Sequence, residues 1–174
     1  GKVYLAKVEG YEFPAIVKEL KHGNKAVFHS LSALNSPYIP RIYRIEEEDD
    51  RLIIAEEYIE GELLSDYLSS GKFSQDEWLD IAKQLCEALE SLHLHVPPVI
   101  HRDIKPSNIM MENGSNLRLM DLGIACEMNK INNDNSDVFW GTPKYAAPEQ
   151  FPNSLYAGIS RATDIYQAGV TLFE

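Results

Sequence analysis

At 174 residues the chain is long enough to bury a core, either as one domain or as two small lobes sharing a cleft. Its 44% apolar and 25% charged residues exclude disordered, collagen-like and coiled-coil classes. The 27 acidic residues against 16 basic ones leave a net charge of −11, the opposite sign to that of a generic nucleic-acid binder.

Residues 2–8 and 13–20 are short apolar runs separated by the turn-like Glu9-Gly10-Tyr11-Glu12, which predicts a hairpin. Val27, Phe28, Leu31 and Leu34 follow helical spacing and predict a helix over 24–34. Residues 41–45 and 51–57 predict a second hairpin around the acidic run 46–50, expected as a solvated turn. Ser74 and Glu77 form a capping-box pattern ahead of Trp78, Ile81, Ala82, Leu85, Ala88, Leu89 and Leu92, one apolar stripe of a long helix that ends before Pro97-Pro98. A short strand over 117–120 and an apolar helix over 163–174 complete an α+β reading: a small antiparallel sheet with one packed helix, then a mainly helical part.

No apolar run approaches the roughly 18 residues of a membrane span, and residues 1–8 lack a signal peptide's apolar stretch. Cys86 and Cys126 form no CxxC pair, which argues against a zinc site or disulfide scaffold and suits a reducing, cytoplasmic setting.

The densest chemistry is His101-Arg102-Asp103-Ile104-Lys105-Pro106-Ser107-Asn108. Pro106 keeps a helix from running through it, so a loop can aim a carboxylate, an ammonium and an amide at one point. Asp103 can accept a hydroxyl proton, Lys105 can neutralise phosphate oxygens, and Asn108 can offer a carbonyl oxygen to a hard cation. Asp121, on the Gly-bearing turn Asp121-Leu122-Gly123, is a second ligand type for such a cation.

These stretches, in order, resemble the eukaryotic-type (Hanks-type) protein kinase family. HRDIKPSN resembles its catalytic loop, Asp121-Leu122-Gly123 its Asp-Phe-Gly turn, and Ala15-Ile16-Val17-Lys18 its lysine strand. The segment Gly141-Thr142-Pro143-Lys144-Tyr145-Ala146-Ala147-Pro148-Glu149 resembles its substrate-docking loop and Ala-Pro-Glu motif, with Gln150 next to it in a run similar to that of bacterial members. Gly1-Lys2-Val3 is similar to the tail of a glycine-rich loop, and Asp164 to the helix aspartate that braces the catalytic loop.

The resemblance implies a two-lobed fold, residues 1–60 forming a β-rich lobe with the hinge and 61–174 a mainly helical lobe, incomplete at both ends. It implies transfer of the ATP γ-phosphate to serine or threonine hydroxyls of a protein substrate, with Mg²⁺. Asp103 would be the base, with Lys105 beside it. Asn108 and Asp121 would hold Mg²⁺, and Lys18 the α- and β-phosphates. Val3 and Met110 would sandwich adenine, and the backbones of Glu57 and Ile59 would form the hinge. His101 is expected to be a buried structural imidazole, and Cys126 a packing residue. Arg102 would meet a phosphate or an acid in the segment 121–149, with Ser136 the expected phosphosite.

Some positions depart from the family's pattern. Val27 stands where a helix glutamate should pair with the strand lysine, and no acid occurs from 21 to 45. Glu56 occupies the gatekeeper position, usually apolar, and Ile16 replaces a small alanine. The two charge departures are complementary, so Glu56 is expected to pair with Lys18; a one-residue register shift would turn it outward instead. A catalytically impaired pseudokinase with a scaffolding or allosteric role and a small-molecule phosphotransferase with a kinase-like fold are the rival readings. The docking loop opposes the second.

Overall fold

The computed structural model describes residues 1–7, 10, 13–21, 25–49, 51–69, 71, 74–128, 139–156 and 158–174. Four strands, β1 (Lys2–Lys7), β2 (Pro14–Leu20), β3 (Ile42–Glu48) and β4 (Arg51–Glu57), form an antiparallel sheet in the order β1-β2-β4-β3. The strand over residues 2–8 thus appears as β1, with Val8 outside the described residues. Gly10 sits in the intervening turn at φ 89°, a left-handed conformation that glycine adopts without a Cβ penalty.

The second hairpin corrects an expectation. β3 runs on through Glu46, Glu47 and Glu48, so the acidic run is mostly strand. The register pairs Glu48 with Arg51, leaving only a two-residue connection. β3 is an edge strand, where charges stay in water, and its acids find cations: Lys25 lies 2.7 Å from Glu47 and Arg44 lies 2.6 Å from Glu46.

The first helix, α1 (Lys25–Leu31), is shorter than the apolar spacing predicts. Ser32 Oγ donates to the His29 carbonyl, and the Leu34 amide donates to the Leu31 carbonyl, which closes the last turn. Its buried face, Val27, Phe28 and Leu31, packs into the core with Leu52 and Ile54 of β4.

Beyond β5 (Gly61–Leu63) and α2 (Leu64–Ser69) comes α3 (Gln75–His93). The capping box is formed: the Glu77 amide donates to Ser74 Oγ at 3.2 Å, and the Ser74 amide donates to Glu77 Oε2 at 2.8 Å. The apolar stripe buries Ile81, Leu85, Ala88, Leu89 and Leu92. Side-chain burial of this kind contributes roughly 1.5–3 kcal/mol per large residue. The remaining elements are β6 (Val99–Ile100), β7 (Ile109–Glu112), β8 (Asn116–Leu119), β9 (Cys126–Glu127) and α4 (Arg161–Phe173). Strands β5, β7 and β8 form a three-stranded sheet, and β6 pairs with β9. The chain therefore has the expected α+β, kinase-like architecture, with more short strands in its second part than the apolar pattern reveals. No helix among the described residues is long and apolar enough to cross a membrane.

A polar seam ties the four-stranded sheet to β8. The Leu119 amide donates to the Tyr38 carbonyl at 2.7 Å, and the buried Arg118 guanidinium lies 2.5 Å from Glu57 and 3.3 Å from Glu112. Gln84 of α3 accepts from the Leu117 amide and donates to the Ser115 carbonyl, both at 2.8 Å, so α3 fixes where β8 lies.

Candidate active site

A cleft of about 620 Å³ opens between the four-stranded sheet and the β7–β8 region, a size typical of small-molecule sites. Val3, Ile16 and Lys18 line it from the sheet, Tyr58 and Ile59 from the segment after β4, and Asn108, Met110, Met120 and Asp121 from below. Six of the nine residues expected to serve catalysis, nucleotide or Mg²⁺ thus meet in one cavity: Val3, Lys18, Ile59, Asn108, Met110 and Asp121. Ile16, the bulky residue in the alanine position, lines the same wall.

Glu57 stands apart. Its carboxylate leaves the cleft and takes hydrogen bonds from Arg118 and from the Arg41 amide, and its own amide donates to the Arg41 carbonyl at 2.8 Å.

Strand register explains the charge at the inner end. Lys18 lies opposite Ile54 and Glu56 opposite Ile16, so Lys18 and Glu56 are diagonal neighbours on one face, within reach of long side chains. Lys18 Nζ lies 2.6 Å from Glu56 Oε1 and 3.9 Å from Asp121 Oδ1. The expected pair is present, and the register shift that would turn Glu56 outward is absent. The contact is a close charge contact and not a well-aligned hydrogen bond. Burial pushes the Glu56 carboxyl above its ordinary range; Lys18 pulls it back down without cancelling that effect.

The catalytic-loop residues cluster beside the cleft. Asp103 Oδ2 accepts from Lys105 Nζ at 2.8 Å and from Asn108 Nδ2 at 3.0 Å, and Oδ1 accepts from the Thr142 hydroxyl at 2.7 Å. Lys105 Nζ also donates to Thr142 Oγ1 at 2.6 Å. Burial opposes ionisation of Asp103, but the donors from Lys105, Thr142 and Asn108 outweigh it and hold the carboxyl below its ordinary value. A carboxylate so held stays an acceptor across the neutral range, as a proton-accepting role requires.

Asn108 uses its side-chain nitrogen twice, toward the Asp103 carbonyl at 2.8 Å and toward Asp103 Oδ2. Both amide protons point to Asp103, so the amide's acceptor oxygen points away from it. With the Asp121 carboxylate on the same cleft, that makes a hard-oxygen pair suited to Mg²⁺, which completes its shell with water and phosphate oxygens. Among the described residues no group of three or more His, Cys, Asp or Glu side chains is placed to hold a metal ion.

The loop is held in an unusual shape. Arg102 has φ 72° and Asp121 φ 59°, left-handed conformations that non-glycine residues adopt only when their surroundings impose them. For Arg102 the imposing group is Asp164 on α4, fully buried: Oδ1 accepts from the Arg102 amide and Oδ2 from the His101 amide, both at 2.9 Å. His93 Nε2 lies 2.8 Å from Asp164 Oδ2. The buried His101 ring donates from Nε2 to the Met120 carbonyl at 2.9 Å, while Nδ1 accepts from the Asp103 amide. Arg102 Nε donates to the Ile124 carbonyl at 2.6 Å, inside the segment where it was expected to act. Ser136 lies outside the described residues.

Two positioning residues had been given no role from sequence. Gln167 accepts from the Ile104 amide and donates to the Arg102 carbonyl, and Gln150 donates to the Arg102 and Trp140 carbonyls. Gln167 lies three residues after Asp164 on α4, hence on the same helix face. That spacing was the available signal. Gln150 Nε2 also explains Gly141, at φ 131°, where a Cβ would lie 3.0 Å from that nitrogen and 3.2 Å from the Arg102 carbonyl oxygen.

The family model for the protein kinase domain matches residues 1–174. The chain is similar to the serine/threonine-protein kinase PrkC of Bacillus subtilis, 36% identical over 83% of this chain and 22% of that protein. It is also similar to the serine/threonine-protein kinase cds1 of Schizosaccharomyces pombe, 36% identical over 82% of this chain and 31% of that protein. A CBL-interacting serine/threonine-protein kinase 21 of Arabidopsis thaliana is 31% identical over 91% of this chain and 37% of its own length. The chain thus spans between about a fifth and two-fifths of these relatives. With the ordered motifs, the cleft and the Asp103 cluster, these matches identify the chain as a member of the Hanks-type serine/threonine protein kinase family.

Proposed function

We propose that the protein transfers the γ-phosphate of ATP to serine or threonine hydroxyls of protein substrates. In this reading the two lobes, 1–60 and 61–174, close over the nucleotide. Val3 and Met110 face adenine from opposite sides, the Glu57 and Ile59 backbones meet its edge, and Lys18 meets the α- and β-phosphates. Asn108 and Asp121 hold Mg²⁺, which supplies charge neutralisation on the phosphate oxygens.

The observation that carries the reading is the hydroxyl on Asp103. Thr142 Oγ1 donates to Oδ1 at 2.7 Å while Lys105 bridges both residues, the geometry in which a substrate hydroxyl can be received. The substrate oxygen bonds to the γ-phosphorus as the bond to the β-phosphate bridging oxygen breaks. ADP leaves with that electron pair, and the hydroxyl proton passes to Asp103. Positioning and charge neutralisation supply the acceleration. Phosphate incorporation into a serine/threonine peptide library by the full-length protein, with Asp103→Asn as control, tests it; equal incorporation by both proteins refutes it.

One observation favours a pseudokinase: Lys18 is already held 2.6 Å from a buried carboxylate. ATP–Mg²⁺ binding without turnover in the same assay would select that reading.

A further inference from the structure

Lys18 reaches into the cleft between two carboxylates of different character. Glu56 is buried at the inner wall, 2.6 Å away, while the Asp121 side chain is about half exposed and lies 3.9 Å away. Among the described residues no other acid lies within ion-pair distance of Lys18. Helix α1, with the sequence KAVFHSL, carries no carboxylate, and its Val27 is buried in the apolar core. Among the described residues, the only buried anion that can orient Lys18 therefore comes from the adjacent strand, fixed by backbone register.

We infer that Glu56 is a positioning residue: from β4 it anchors the Lys18 ammonium at the inner end of the cleft, so that the remaining N–H donors face a nucleotide's phosphates. This rests on the nucleotide reading above. An ammonium has three donors. Held on its inner side by the Glu56 charge, it keeps donors for phosphate oxygens, and without the anchor the flexible four-carbon stem is free to fold toward Asp121. The opposite consequence of the same contact is sequestration, in which Glu56 holds Lys18 away from phosphate. The two make opposite predictions.

The test compares full-length wild type with Glu56→Gln, Glu56→Asp, Lys18→Met and the double variant Glu56→Gln/Lys18→Met. ATP–Mg²⁺ and adenosine binding are measured by displacement of a fluorescent nucleotide, with thermal melts to confirm folding. Glu56→Gln is expected to weaken ATP binding about tenfold or more, the scale of losing one buried charge contact, and to leave adenosine binding unchanged. Glu56→Asp should recover part of the loss, and on the Lys18→Met background Glu56→Gln should have no further effect on ATP. Unchanged or tighter ATP binding in Glu56→Gln, or equal losses for ATP and adenosine, overturns the role. If Glu56→Gln does not fold, Glu56→Asp carries the test: a loss confined to ATP supports the role, and no loss or a shared loss overturns it. Wild type that binds no ATP overturns the nucleotide reading itself and this inference with it, a result distinct from one in which only the variants behave alike.

Discussion

The Thr142 hydroxyl donates to Asp103 Oδ1 across 39 positions of sequence, at 2.7 Å. The segment 141–149 thereby touches the Asp103 carboxylate of the loop 101–108 directly, and Lys105, donating to both, locks the two segments together. A substrate hydroxyl at Oδ1 must share or displace that hydrogen bond.

Asp103→Asn keeps the shape of the side chain and removes the proton acceptor. Peptide phosphorylation is expected to fall by about 10² to 10⁴, the usual contribution of a positioned base, with the melting temperature little changed. Rates from initial velocities beside a melt decide it.

Acid sensitivity follows from the same carboxyl. Its folded-state value lies below the ordinary 3.8. Such a group contributes stability above its ordinary value and loses that contribution as pH falls through the lower folded value. Wild type should therefore lose stability more steeply than Asp103→Asn below about pH 4, read as urea midpoints against pH. Parallel curves would show that the hydrogen bonds from Lys105, Thr142 and Asn108 do not hold the carboxyl ionised.

Helix α1 supplies packing and no charge to the lysine. Leu31→Ala, at a buried core position, should cost about 2–5 kcal/mol of stability. ATP affinity, measured well below the lowered melting temperature, should be unchanged. A large fall in affinity would mean that α1 does contribute to placing Lys18.

Asp164 is fully buried and holds two consecutive backbone amides together with His93. Asp164→Asn puts amide hydrogens among those donors and should destabilise by roughly 3–5 kcal/mol, the cost of breaking a buried charged network. The left-handed Arg102 should relax, seen as loss of hydrogen-exchange protection at the 101 and 102 amides.

The loop chemistry was legible because HRDIKPSN places its functional groups within six residues, and β1, β2, β4 and α3 were legible because each carries a full apolar period. Strands β5, β6, β7 and β9 are two to four residues long, too short to show an alternation. The extension of β3 was hidden by its acids, which water tolerates on an edge strand but which a polarity pattern reads as a turn. Gln150 was illegible as a positioning residue, and Gln167 was marked only by its spacing from Asp164, because their partners, the Arg102 carbonyl and the Ile104 amide, are backbone groups far along the chain. Nothing in the local sequence around Arg118 marks it as buried between Glu57 and Glu112.

The bonds between Tyr38 and Leu119 and between Arg118 and Glu57 involve no residue that lines the cleft. A widening of the cleft that keeps these bonds is a rotation about them, like a door on its pin, and displacement grows with distance from the pin. Glu57 ends β4, β2 lies one strand away and β1 two, roughly 5 Å and 10 Å. β1 lies one strand farther from these bonds than β2, so a given rotation carries Val3 farther than Lys18, and the free edge of the sheet opens more than its centre.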